Sequence, residues 1–485
     1  MKESLLIAVA LTTGSALFAE PVKLTNVVCF VNFSDHPSQW YHGEDNTDSP
    51  SYDWYESFLN SREEGVNSVR NYFNTMSYGR ADWESQIIRV EYTDAHPRSY
   101  YLAKSESNPE GYDEYTLLLN TRIKLLVQDI CGEIDALLPD DINLDGNNDG
   151  EVDNLTIVFN GSSDISSSRM LWPQNFRINN GWASDLKIFL KNKRIGNVLQ
   201  VFDHYNGYKS LDGIELNTGV VCHEMMHTLD AYDLYTSKNS PQIDPVNVWD
   251  LMSDNQKVPQ SVTAYIRNRY SKNFGEWIKD DEIKELTEDG IYELNPLNSP
   301  SPENVVYKIC PDKEKKEYFM IEYRDRADIW DKTLPPGGII VYRVNPTVKG
   351  NLGAKQEVYI FRPGGSQNKP GKIRQAALGF ETNRFSLGTE NDEDYPFYSD
   401  GTRAGFSISD VTPKDGAISF KFSMNNSSGI DEIEGDNGLT GLDRADLDAK
   451  IRNGEVSVFN LQGQRLRALP SSPGVYILNG KKIYL

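Results

Sequence analysis

Cysteine is scarce in this chain, with 4 among 485 residues. Cys29, Cys131, Cys222 and Cys310 lie far apart and form no Cys-x-x-Cys pair. That spacing excludes a cysteine-built zinc knot and a disulfide-dense scaffold, and leaves room for one or two disulfides. Cys29 falls in an apolar strand pattern and reads as a small buried hydrophobe. Cys222 precedes a histidine, but successive helical residues turn by about 100°, which takes it off that histidine's face. Long apolar runs are also missing. Beyond the first twenty residues nothing approaches the roughly 18 apolar residues that span a bilayer. Positive charge is in deficit, 49 Lys and Arg against 71 Asp and Glu, for a net charge of -22. So negative a surface repels phosphate backbones and anionic lipid, which argues against nucleic acid as a partner. It suits an extracellular protein, and one that gathers calcium through carboxylates.

The N-terminus supplies the one long apolar stretch. Lys2 is followed by Leu5 to Phe18, with small Ala19 before Glu20, the layout of a secretory signal over residues 1–19. Export, to the cell surface or the medium, is the expectation. Beyond it, Asn26 to Phe33 has a strand pattern and Ser61 to Met76 helical spacing. Ser85 to Tyr92 reads as strand, Tyr112 to Ile134 as a long amphipathic helix and Asp153 to Phe159 as a buried strand. Leu216 to Leu229 is helical again. Alternation of this kind over residues 20–278 implies an α+β domain. From 279 to 424 short strand candidates (Val305 to Ile309, Tyr318 to Tyr323, Gly338 to Val344, Val358 to Phe361, Ala417 to Phe422) sit between Pro- and Gly-rich turns, the pattern of a mainly β module, a sandwich. Residues 425–447 read as a polar, acidic linker, and 448–485 as a small C-terminal β domain.

The chemistry sits in His223-Glu224-Met225-Met226-His227. Four residues make slightly more than one helical turn, so both imidazoles project from one face and can share a metal. Glu224 lies beside them, able to reach a water at the metal without ligating it. Six histidines placed at random would give a pair four apart only about 0.07 times, and the intervening Glu lowers that to the order of 0.005. Chance is therefore a poor account. Zinc needs a third protein ligand and one open position. A carboxylate at Asp233 reaches the metal only if the helix stops and the chain turns back. Asp230 would be the turning residue, in a left-handed conformation. Asp230 itself, or a more distant acid, is the alternative ligand.

His223, Glu224, His227 and Asp233, followed by Leu234-Tyr235, resemble the extended zinc signature of the immune inhibitor A family of secreted metallopeptidases. The family pattern is H-E-x-x-H-x-x-G-x-x-D, so Asp230 stands where a glycine is usual. Trp249-Asp250-Leu251-Met252-Ser253 resembles the family's Met-turn, with Met252 packing beneath the ligands. Val31 to Asp35, Ser68 to Phe73 with Ser77-Tyr78-Gly79, and Glu322-Tyr323-Arg324 with Gly337 to Ile340 are weaker echoes. The resemblance implies a zincin/metzincin-like catalytic domain that hydrolyses peptide bonds in protein or peptide substrates, with Glu224 as catalytic base and His223, His227 and Asp233 as zinc ligands. The rival reading is a surface adhesion protein on a peptidase scaffold that has lost activity; a zinc enzyme acting on another bond is a third.

Asp145, Asn147, Asp149, Glu151 and Asp153 place oxygen side chains at alternate positions around Gly150, the first part of an EF-hand-like calcium loop, although Thr156 stands where the last acid should be. A structural calcium ion is expected there. The stretches Val456 to Gln464 and Gly474 to Lys482 resemble type IX secretion sorting domains, which implies a partner in an outer-membrane secretion machinery.

Overall fold

The computed structural model describes residues 20–35, 51–115, 121–161, 169–178, 186–203, 216–237, 243–424, 444–455, 457–460, 464–468, 475–478 and 481–484. The signal segment 1–19 and most of the linker lie outside the described residues. Among the described residues the architecture is a mixture of α and β, mostly sheet with few helices, and no helix is long and apolar enough to cross a membrane.

The first sheet is built from β1 (Val22–Phe33), β2 (Ala81–Asp94), β3 (Asn154–Phe159), β4 (Gln174–Arg177) and, after a short hairpin of β5 (Phe189–Leu190) and β6 (Lys193–Arg194), β7 (Asn197–Phe202). Their order is β2-β1-β3-β7-β4; all neighbours are parallel except the antiparallel edge strand β4. Parallel strands covered on both faces become almost continuously apolar. β1 obeys this: Val28 and Phe30 enter one core, Val27, Cys29 and Val31 another, all fully buried. Helix α3 (Thr121–Ile134) covers the second face through Ile123, Val127 and Ile130. Helices α1 (Tyr52–Asn60) and α2 (Val69–Met76) cover the first. α2 is shorter than the apolar spacing suggests, because the Ser68 hydroxyl accepts from Asn71 N (3.2 Å) and starts the helix there.

Helix α4 (Thr218–Thr228) is capped by Asn217, whose side-chain oxygen accepts from Val220 N at 3.1 Å. α5 (Ala264–Arg269) follows a buried loop. A second sheet, order β13-β12-β11-β10-β8, comprises β8 (Lys284–Glu285), β10 (Val306–Ile309), β11 (Tyr318–Arg324), β12 (Gly338–Val344) and β13 (Val358–Ile360). A third joins β9 (Gly290–Leu294) to β16 (Phe406–Lys414) and β17 (Ala417–Met424), and β14 (Gly365–Ser366) pairs β15 (Lys369–Pro370). Side chains alternate across a strand. On β12, Ile339 and Val341 face the third sheet, while Ile340, Tyr342 and Val344 join the core around α4. Hydrophobic packing therefore runs unbroken across residue 279.

At the C-terminus a helix α6 (Arg444–Arg452), which spans the border placed at residue 447, precedes a small antiparallel sheet. It is formed by β18 (Val458–Phe459), β19 (Arg465–Leu466), β20 (Val475–Leu478) and β21 (Lys481–Tyr484), in the order β19-β18-β20-β21.

Candidate metal centre

α4 delivers His223 and His227 on one face, with ring centroids 5.0 Å apart. The helix then ends through Ala231 N, which donates to Met226 O, and Asp230 takes φ +65°, the left-handed turn that its position demanded. The reversal brings Asp233 back over the imidazoles. Its Oδ1 lies 3.2 Å from His223 Nε2 and 3.3 Å from His227 Nε2. Among the described residues these three form the one grouping of His, Cys, Asp or Glu whose ligand atoms converge closely enough to hold a metal. Asp230 does not compete. Its largely exposed carboxylate turns away and pairs with Arg177 at 3.0 Å.

The protonation pattern suits a cation. His223 Nδ1 donates to Leu251 O (3.0 Å) and His227 Nδ1 to Ala231 O (2.7 Å), so both Nε2 atoms present lone pairs to the carboxylate. Asp233 Oδ1 then lies buried with no hydrogen-bond donor. Two imidazole lone pairs and a carboxylate oxygen facing one another repel unless a cation or a proton sits among them. Without metal the cluster takes up protons. Burial pulls the His223 pKa down, but Asp233, Glu224 and the Leu251 carbonyl outweigh it and lift the value to about 9. His227 moves the same way for similar reasons, and its two histidine partners hold Asp233 well below the usual carboxylate range against the effect of burial. Two neutral imidazoles and one carboxylate are a donor set that zinc accepts.

Glu224 is buried beside them, 8% exposed, and burial raises its pKa against the pull of the two histidines. Asn175 on edge strand β4 fixes this part of the helix, donating to Glu224 O (2.9 Å) and Thr228 Oγ1 (2.8 Å). Gly219 lets the helix approach the next loop, since a Cβ there would stand 1.8 Å from Gln256 O. Met252 is fully buried, and its carbonyl accepts from Leu234 N at 2.8 Å, so this loop runs directly beside the segment that carries Asp233.

Residues of the second sheet and its loops complete the centre: Glu322 and Arg324 belong to one of the weaker motif echoes, whereas no local pattern announced Gly350 and Asn351. Arg324 donates to Trp249 O (2.6 Å) and pairs with Asp331 (2.7 Å), fastening the loop that ends in Met252. Glu322 accepts from Ala264 N at 2.8 Å. Between β12 and β13, Asn351 N donates to Asp233 O and Asn351 Nδ2 to Leu234 O, both at 2.8 Å. Gly350 (φ +66°) presses so closely that a Cβ would stand 2.7 Å from Asp233 O. The Asp233 backbone is thus clasped by a segment about 120 residues further along the chain.

Among the tyrosines on the C-terminal side of the motif, Tyr265 is buried and donates to Glu357 Oε1 at 2.7 Å. Tyr232 faces a cavity next to His227, and Tyr235 lines the cavity that contains Glu224. Burial, and then Asp233, raise the Tyr235 pKa, which keeps its hydroxyl protonated.

The expected calcium loop is different, and the structure lends calcium no support. Asp145 accepts from Lys193 Nζ (2.6 Å), Asp149 N (2.9 Å) and Gly150 N (3.2 Å). Asp153 accepts from Thr25 N and Gly146 N, and burial lifts its pKa to about 7. Asn147 Oδ1 accepts from Asp149 N, Asp149 Oδ1 accepts from Glu151 N, and the Glu151 carboxylate lies 4.0 Å from Arg177. The oxygens are satisfied by the protein itself, as in an Asx turn. All four cysteines are free thiols.

Residues 39–280 match the family described as immune inhibitor A peptidase M6, catalytic domain, which supports that family and a metallopeptidase activity. Among solved structures, wild-type OgpA from Akkermansia muciniphila is similar at 11% identity and a TM-score of 0.27, over 74% of this chain and 86% of that one. Catalytically inactive OgpA from the same organism, in complex with an O-glycopeptide (glycodrosocin) substrate, is similar at 9% identity and a TM-score of 0.27, over 71% of this chain and 83% of that one. No curated protein matches.

Proposed function

We propose, from the family match over residues 39–280 and the geometry inside it, that this chain is a zinc-dependent metalloendopeptidase. The observation that carries the reading is the buried, donorless Asp233 Oδ1 placed between two imidazole Nε2 atoms, with an acid beside them that is no part of the cluster. His223, His227 and Asp233 would hold zinc, which supplies Lewis-acid polarisation of a water and of the scissile carbonyl. Glu224 takes the proton of the attacking water on its carboxylate and passes it to the leaving nitrogen. Its burial suits both roles, because a raised pKa makes the carboxylate a better base and its acid form a usable donor. Tyr235 donates its hydroxyl to the developing oxyanion, and Asn175 holds the helix that aims Glu224. No protein nucleophile takes part.

The catalytic region is read as zincin/metzincin-like, with Met252 as the Met-turn methionine, and the sheets beyond residue 279 as a sandwich that braces it. Residues 1–19 direct export, the protein acts on proteins or peptides outside the cytoplasm, and residues 448–485 serve as a sorting module for type IX secretion. The sequence patterns described above support these assignments. The test is hydrolysis of casein and of a peptide library by the zinc-loaded protein and by Glu224→Ala. The variant is expected to keep its zinc and lose at least about 100-fold in rate, the range of general acid–base catalysis. Near wild-type turnover by Glu224→Ala would remove the mechanism.

A further inference from the structure

The two flanks of the metal cluster differ in charge. On the Glu224 side, a cavity of about 370 Å³ is lined by His223, Tyr235 and Trp172 among others. On the other side a larger recess of about 840 Å³ opens against His227 and Asp233. Its wall includes Arg177 from β4, Arg269 from the end of α5, Lys349 from the loop that clasps Asp233, and the rings of Tyr232 and Tyr270. Lys124, itself buried, also borders it, and the carboxylates in the wall are Asp230 and Asp233. In a chain of net charge -22 this is a local reversal of sign.

Arg177 is spent on ion pairs of its own, and the charge left over is that of Arg269 and Lys349. Arg177 shares its guanidinium with Asp230 at 3.0 Å. Arg269 and Lys349 are exposed and form no ion pair among the described residues. The Lys349 ammonium sits 5.3 Å from the centre of the Tyr232 ring, which holds it at the cavity without neutralising it. Cations from three separate elements thus converge on a recess walled by aromatic rings and bordered by the ligand cluster. A concave, single-sign surface concentrates its field and draws in the opposite charge. The rings give the aliphatic stem of a bound side chain an apolar surface. Glutamate, with a short stem and a carboxylate tip, matches both features.

We propose that the recess beside His227 is a specificity pocket that selects acidic side chains, glutamate or aspartate, on one side of the scissile bond. The proposal rests on the peptidase reading and names the substrate class that reading leaves open. The opposite flank carries one cation, Lys257, beside the acid Glu224, so the preference is one-sided.

The experiment uses full-length, zinc-loaded protein and fluorogenic peptides that differ only by Glu or Gln at each position flanking the cleaved bond. kcat/KM is expected to favour Glu on one side by about tenfold at low salt, falling to about twofold near 1 M salt, because exposed charges are screened. Arg269→Glu and Lys349→Glu are each expected to cut the Glu-over-Gln ratio about fivefold. The ratio is internal to each variant, so a partly misfolded protein does not imitate the effect. Equal cleavage of Glu and Gln peptides by wild type overturns the pocket and leaves the peptidase standing, as does an unchanged ratio in both variants. Should wild type cleave no peptide, the peptidase reading falls. Fluorescence anisotropy of the same labelled peptides then decides: tighter binding of the Glu series that is lost in Arg269→Glu keeps the pocket, and equal binding of both series overturns it.

Discussion

The loop at residues 145–153 and the turn at residues 230–233 are both rich in carboxylates, and both have a spacing that suggests a metal. They separate on what the rest of the protein offers their oxygens. In the loop, backbone N–H groups and the Lys193 ammonium occupy Asp145, and Thr25 and Gly146 occupy Asp153. In the turn, Asp230 goes to Arg177, while Asp233 Oδ1 is buried between two imidazole Nε2 atoms that, when neutral, offer it no proton. A carboxylate that the fold has satisfied is structural; one that the fold has buried and left unsatisfied awaits a cation. Counting acids along the chain does not separate the two cases, whereas tracing each oxygen to its donor does.

The sharpest way to break this contrast is Asp233→Asn. The amide keeps the shape and loses the charge, and zinc affinity should fall by more than about 100-fold, beyond the range seen when only a supporting partner is lost. Competition with a chromophoric chelator measures it, and retention of wild-type affinity would place the third donor elsewhere. Asn351→Ala tests the clasp behind that ligand. Releasing the bonds to Asp233 O and Leu234 O is expected to weaken zinc by about tenfold with the fold intact, read by the same titration alongside circular dichroism.

pH gives a subtler readout. Its partners hold the His223 pKa at about 9 in the fold, above the ordinary histidine value of 6.5. The protonated form therefore stabilises the metal-free fold fully below pH 6.5, and that contribution is lost as pH rises through 9. Metal-stripped protein should melt at a lower temperature at pH 9 than at pH 6.5, and zinc binding at pH 7 should release a proton detectable in weakly buffered solution. A melting temperature that rises between these pH values would contradict the geometry. The smallest effect belongs to the other loop. Asp145→Ala should cost about 1–2 kcal/mol for the lost turn and cap bonds, and the same amount with calcium or with chelator present. A calcium-dependent cost would erase the distinction between the two loops.

Much of the centre was legible because it is local. Two histidines four apart define a helical face, and a carboxylate six residues on requires a reversal whose turning residue, Asp230, does take positive φ. The long strands and the β-rich region were legible for the same reason, through period and turn residues. Strand β4 was not, since its four half-buried residues carry no alternation, and β7 is buried throughout and shows no period of two. Asn175 and Asn351 act through contacts 49 and 117 residues distant in sequence, where no local pattern operates, and the echo that contains Arg324 did not say what Arg324 holds. The calcium reading rested on spacing, which fixes which oxygens are near one another and is silent about Lys193, which arrives from another hairpin.

The grip of Gly350 and Asn351 on Asp233 has a temporal consequence. During synthesis the ribosome releases His223, Glu224 and His227 long before Asn351, so a growing chain holds the proposed histidine ligands and base while still missing the bracket that seats Asp233. On the metallopeptidase reading, competence waits for residue 351 to emerge, and a fragment cut short before that bracket should be inert toward its neighbours.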